Sequence, residues 1–250
     1  MTTRRKNSEG LARLNILSST FSIQKPPPKW QDHQLLFKPK ARQMNPSSPY
    51  DLLYEAAEGQ VLWGAEPGRL VKRIQEFCSA GIVVDAGCGD GKNALYLEKL
   101  GFTVIGYDSS RLALKGLENR FRRVCWKKKG RYELRDITQH PIEKNIDALV
   151  SYGLFHCLPP LERLKIHSNL HASVKPCGIT LFTCLTDRLP LPRGHQTKGI
   201  ELPDISEVLK LFTGWKLLHK EEGEIEEKHS LLVGLHKHSA IWIVAKKQYT

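Results

Sequence analysis

Two carboxylates, Asp85 and Asp108, each close a short apolar run, and a glycine-rich turn stands between them. The first run, Val83-Val84-Asp85-Ala86, passes directly into Gly87-Cys88-Gly89-Asp90-Gly91. Glycines are needed where φ turns positive or where a ligand presses on the backbone, so this turn reads as a cradle for a nucleoside-type cofactor. A helix expected near Asn93 to Leu100 offers its free N–H groups at the same place. The second run, Thr103-Val104-Ile105-Gly106-Tyr107-Asp108, sets an acid 21 residues after Gly87. In a doubly wound α/β fold an acid about there accepts hydrogen bonds from a ribose diol. The other use of Asp108 is as a cap for a helix starting at Ser109.

Asp85 sits two residues before Gly87, where its carboxylate can take the ammonium of an amino-acid moiety. That favours S-adenosylmethionine (SAM) over NAD, and the turn also lacks the GxGxxG spacing usual for dinucleotides. The cofactor set read here is Asp85, Gly87, Cys88, Gly89, Asn93, Asp108 and Ser109.

The segment DAGCGDGKNALYLEKLGFTVIGYDSS, Asp85 to Ser110, resembles the class I SAM-dependent methyltransferases, in particular the tellurite-resistance and thiopurine group of small-molecule enzymes. Leu62-Trp63-Gly64 with Pro67, Lys175-Pro176-Cys177-Gly178 and the closing Ile241 to Lys247 match in kind, so the resemblance spans about residues 50 to 247. It implies a strand order of 3-2-1-4-5-7-6. It further implies that Asp136 meets the adenine amine, that Ile137 packs there or presents its N–H, and that Ser151 and the segment Tyr152 to His156 border the methyl group and its acceptor. A leading segment with Tyr50, Tyr54 and Trp63 would fold over the site as a lid, and a loop from Thr186 to Pro203 would help close over the acceptor.

The elements that must position these residues follow from periodicity. Strands are expected near 82–86, 103–108, 131–137, 146–152, 178–185, 215–221 and 239–246, with helices near 49–57, 67–79, 92–100, 110–121, 161–174 and 204–212. Strand and helix alternate, which implies a doubly wound, mainly parallel seven-stranded sheet, a Rossmann-like α/β fold. The last two strands have no helix between them and should form an antiparallel hairpin at one edge.

A chain of 250 residues, 40% hydrophobic, supports one core of about 200 residues plus a tail. The net charge of +12 is uneven: residues 1–48 carry +7 and, with five prolines, read as a basic, largely disordered tail before a domain at 49–250. Solvation, an acidic or nucleic-acid partner, and organelle targeting are the readings open for that tail. No apolar run reaches 18 residues, so no transmembrane helix and no membrane partner are expected. Six cysteines without a CxxC pair suit reduced thiols and a cytoplasmic location.

Ser151-Tyr152-Gly153-Leu154 stands where nucleobase amine methylation commonly uses an Asn/Asp-Pro-Pro-aromatic segment, and Cys157 lacks the adjacent proline of a cytosine-methylating nucleophile. His156 is the candidate base nearest the methyl group. His236 and His238 would share a strand face near His229, but without a third ligand at fixed spacing no metal is expected. Seven cations between Arg120 and Arg131, with Phe121 and Trp126 interleaved, suggest RNA or phosphate contact, against which a solvated loop is the simpler reading. The resulting expectation is methyl transfer from SAM to a small molecule by in-line displacement, with Tyr54, Trp63, Tyr152 and His156 lining the acceptor side. An RNA or protein methyltransferase and a non-catalytic SAM-binding regulator are the alternatives. Nucleic acid is the less favoured partner.

Overall fold

The apolar runs become seven strands of one sheet: β1 Ile82–Ala86, β2 Thr103–Asp108, β3 Arg131–Leu134, β4 Ile146–Tyr152, β5 Val174–Thr186, β6 Trp215–Glu227 and β7 His236–Lys247. Their order is β3-β2-β1-β4-β5-β7-β6, as the family resemblance implied. The first five run parallel, and β7 is antiparallel to both β5 and β6. The computed structural model describes residues 50–56, 62–191, 201–227 and 235–249. The tail expected at 1–48, the middle of the 186–203 loop and His229 lie outside these.

Helices cover both faces, as parallel strands require. They are α1 Asp51–Ala56, α2 Lys92–Lys99, α3 Arg111–Arg123, α4 Arg163–Ala172 and α5 Ile205–Lys210. Alternate side chains of each strand go to opposite layers. Val83, Val104, Val150 and Trp242 pack with Leu97, Leu117 and Phe121 of α2 and α3, whereas Val84, Ile105 and Leu149 pack with Leu170 of α4. A third cluster joins Phe182, Ile241 and Ile243 to Val208 of α5 and to Phe212.

Three expectations are corrected. The helix expected at 67–79 is a short 3-10 helix, Val71–Glu76, held by bonds such as Arg73 N to Leu70 O and Phe77 N to Ile74 O. β3 stops at Leu134 because Asp136 folds back on Thr138 and Gln139, whose N–H, hydroxyl and amide donate to its carboxylate. The terminal hairpin is longer than its apolar content suggested, since charged residues such as Glu222, Glu224 and Lys237 continue the pairing of β6 and β7.

Candidate cofactor and active site

The turn after β1 is built around positive φ at Gly87 (70°), Gly89 (55°) and Gly91 (80°). Gly89 is needed twice over, because a Cβ there would lie 3.0 Å from Tyr54 Oη. The amides of Gly87 and Cys88 both donate to Tyr107 O, at 2.8 and 3.0 Å, and the Gly89 amide donates to Asp108 Oδ2 at 2.8 Å. The adjacent ends of β1 and β2 thus shape the turn together. Asp108 also accepts from Ser110 N at 2.8 Å, while Ser110, not Ser109, caps α3 through its bond from Ala113 N.

Asp85 is 1% exposed, and neither carboxylate oxygen has a hydrogen-bond partner among the described residues. Burial, reinforced by the charge of Asp108 and partly offset by Lys92, pushes its pKa up to about 7. Burial also raises the Asp108 carboxyl, against the lowering effect of its two backbone donors. Two acids whose carboxyls burial raises therefore face one turn, an arrangement suited to a ligand bringing positive charge and hydroxyl donors.

Above this turn sits the leading segment. Asp51 Oδ1 accepts from Ser110 Oγ at 2.5 Å, which fastens α1 to the start of α3. Trp63 Nε1 donates to Tyr54 Oη at 2.8 Å, and the Tyr50 ring meets Trp63 edge-on at 6.5 Å between centroids. Lys92 Nζ donates to Trp63 O and stands 5.1 Å from the Tyr152 ring centroid. Asn93 is not turned to the glycine turn's mouth: its Oδ1 accepts from Gly68 N at 2.8 Å and holds the segment down. Tyr54, Trp63, Gly89 and Tyr152 are in this way brought to one place.

Other expected residues are placed differently. Ser151 is fully buried, with its hydroxyl 2.9 Å from His167 Nε2 on the α4 side, so its side chain points away from the layer that holds Tyr152. The Asp136 carboxylate is taken up by the local turn already described, and Ile137 packs on the core beside Leu149. His156 lies in a short 3-10 helix, Phe155–Cys157, and its Nδ1 accepts from Leu185 N at 3.2 Å. That bond keeps the neutral ring protonated on Nε2. The two ends of the long loop after β5 meet, with Asp187 N donating to Pro203 O. His236 and His238 do share a face, 2.9 Å apart at Nε2, and among the described residues no group of three His, Cys, Asp or Glu could hold a metal.

Residues 83–178, from β1 to the start of β5, match the family model of a methyltransferase domain. A curated SAM-dependent methyltransferase, TehB of Haemophilus influenzae, is 28% identical over 153 residues, or 58% of this chain. The chain spans 50% of that relative's length. The crystal structure of TehB from the same organism superposes with a TM-score of 0.63 at 23% identity, covering 72% of this chain and 62% of TehB. A Burkholderia thailandensis 1,6-didemethyltoxoflavin N1-methyltransferase, solved with its substrate and S-adenosylhomocysteine, has a TM-score of 0.58 at 17% identity and covers 80% and 87%. These likenesses in structure establish the fold, a Rossmann-like α/β sheet with an antiparallel terminal pair.

Around this site several supporting residues escaped the sequence reading. Arg120, counted there in the basic cluster, is buried: it pairs with Asp90 at 2.9 Å and donates to the carbonyls of Asp90, Gly64 and Ala65. It therefore joins α3, the glycine turn and the leading segment. Asp51 and Lys92 were also missed, since a lone charge near a helix start carries no signal until its partner is known.

Proposed function

We propose that the methyltransferase domain binds SAM on the glycine turn and directs its methyl group to a small-molecule acceptor. The observation that carries this reading is Asp85, a carboxylate sealed at the end of β1 with no hydrogen-bond partner for either oxygen. A buried anion is costly unless paired, and the ammonium of an amino-acid moiety would pair it. The acidic strand end, the strained glycines and the second acid at the next strand end fit this group together.

In this reading Asp85 holds the ammonium, the backbone of Gly87, Cys88 and Gly89 lies along the cofactor, and Asp108 with Ser109 takes the ribose. Asp136 and Ile137 serve the adenine, the former after giving up part of its local turn. Asn93 acts through Gly68, and Ser151 offers its backbone only. The cofactor supplies an electrophilic methyl group on a sulfonium, open to in-line displacement. The protein's work is orientation and the exclusion of water, which an acceptor with its own lone pair needs most. Tyr54, Trp63 and Tyr152 supply aromatic walls for it, and His156 supplies an N–H rather than a base. The aromatic setting favours a small molecule over a polymer. The domain at 49–250 is the catalytic unit, with 1–48 as an appended basic tail, and six unpaired cysteines suit a cytoplasmic setting.

Titration calorimetry with SAM, S-adenosylhomocysteine and NAD tests the cofactor. Binding of the first two and not the third is expected, and preference for NAD would sink the reading. Radiolabelled-methyl transfer to separated metabolite and RNA fractions tests the acceptor, with label expected in the metabolites.

A further inference from the structure

The domain's positive charge is concentrated away from the site. Residues 111–131 hold nine Lys and Arg against one acid, Glu118. Arg120 is buried on Asp90, and the exposed Arg131 is paired with Glu133 and Glu143. At the carboxyl end of α3 and in the loop after it stand Arg122, 3.8 Å from Glu118, with Arg123, Lys127, Lys128 and Lys129, all exposed. No carboxylate among the described residues pairs with the three lysines.

This cationic surface has a fixed shape. Trp126 N donates to Phe121 O and Cys125 N to Arg122 O, both at 3.0 Å, and Cys125 takes φ 50°, closing α3 in the manner usually left to glycine. The buried carboxylate of Glu98 in α2 then accepts four bonds from the loop and its neighbour: Trp126 Nε1, Lys129 N, Gly130 N and the Tyr132 hydroxyl. A connection remote from the site is thereby pinned so that three consecutive lysines point outward, although like charges at such spacing repel. A rigid loop of this kind fits an anionic partner that relieves the repulsion.

We propose that this face docks on a membrane surface rich in acidic phospholipid. The apolar groups it exposes are aliphatic: Val124 is 47% exposed, and Cys125 beside it is exposed too. Its aromatic rings are withheld. Lys129 Nζ stands 5.3 Å over Trp126 and Lys128 Nζ 5.5 Å over Tyr132, while both rings spend their polar groups on Glu98. Binding of single-stranded nucleic acid uses exposed aromatic platforms, whereas attraction to an acidic bilayer surface needs only clustered cations close to it. The absence of a spanning helix bears only on crossing a membrane, and not on contact with its surface. Because the loop enters β3 at its amino end, docking leaves the opposite, carboxyl edge of the sheet open to water.

The test is co-sedimentation of the full chain with phosphatidylcholine vesicles, with and without about one third phosphatidylserine, for the wild type, K127A/K128A/K129A and Val124→Ser. Binding only to the acidic vesicles is expected, weakened about a hundredfold in the triple variant at roughly fivefold per lysine. Tm and SAM affinity should stay unchanged, and Val124→Ser should weaken the same binding more modestly. Acidic-vesicle binding that the triple variant retains in full would assign it to the tail and overturn the proposal. So would a 20-nucleotide RNA that binds the wild type more tightly than the vesicles do and is lost in the triple variant.

Discussion

The amide of Gly89 and the carboxylate of Asp108 are 2.8 Å apart, so the acid proposed to receive the ribose also sets the turn that receives the rest of the cofactor. Asp108→Ala should therefore fail in two ways. SAM affinity should fall by about 1.5–3 kcal/mol through lost charge-assisted bonds. The ligand-free protein should also melt a few degrees lower, as Gly89 N and Ser110 N lose their acceptor. Calorimetry and a thermal melt read the two effects separately, and an unchanged melting point would show that the turn holds itself.

Asp85 should behave in the opposite sense. Its pKa is about 7 in the fold against about 4 for an ordinary carboxyl, so its contribution to stability is full below about pH 4 and is lost as pH rises through about 7. Asp85→Asn should raise the melting temperature of the ligand-free protein at pH 8, less so at pH 5, and leave it little changed below about pH 4.

The same ionisation governs binding, because the ammonium pairs with the charged form. SAM affinity should rise by up to about tenfold per pH unit between roughly pH 5.5 and 7, then level off. Below pH 7 binding should release a proton, visible as a buffer-dependent calorimetric enthalpy. Asp85→Asn should abolish both effects, and a flat affinity profile in the wild type would remove Asp85 from the ammonium site.

The strands and the paired acids were legible because each rests on short-range pattern: apolar runs, glycines at a turn, an acid at a strand end; the strand order came only with the family resemblance. The direction of the Ser151 side chain was not legible, because alternation along β4 settles which face a residue takes only once the face of Tyr152 is known. β6 was read short because its residues from Glu221 to Glu227 are mostly charged, as an edge strand that resists pairing tends to be. Arg120 was read as one more surface cation because its partners, Asp90, Gly64 and Ala65, are 30 to 56 residues away. Long-range partners of that kind leave no local trace.

Arg120 accordingly carries a stability prediction rather than a binding one. Arg120→Ala would strand the buried Asp90 carboxylate and three carbonyls, at about 3–5 kcal/mol. Arg120→Lys should rescue little, since one ammonium cannot reach the forked set of acceptors. Denaturant unfolding of both variants checks this, and a near-normal midpoint for the lysine variant would mean that charge alone suffices.

His156 offers the sharpest test of the chemistry. Its Nδ1 accepts the Leu185 N–H at 3.2 Å, so a neutral ring presents Nε2–H and has no lone pair left to take a proton from an acceptor. Removing a true general base costs about 10²–10⁴ in rate. His156→Ala should cost less than about tenfold in kcat once an acceptor is in hand, and His156→Gln, which keeps an acceptor for Leu185 N, should recover most of that. A loss of a thousandfold in both variants would restore His156 as the base and would require the Leu185 bond to break during turnover.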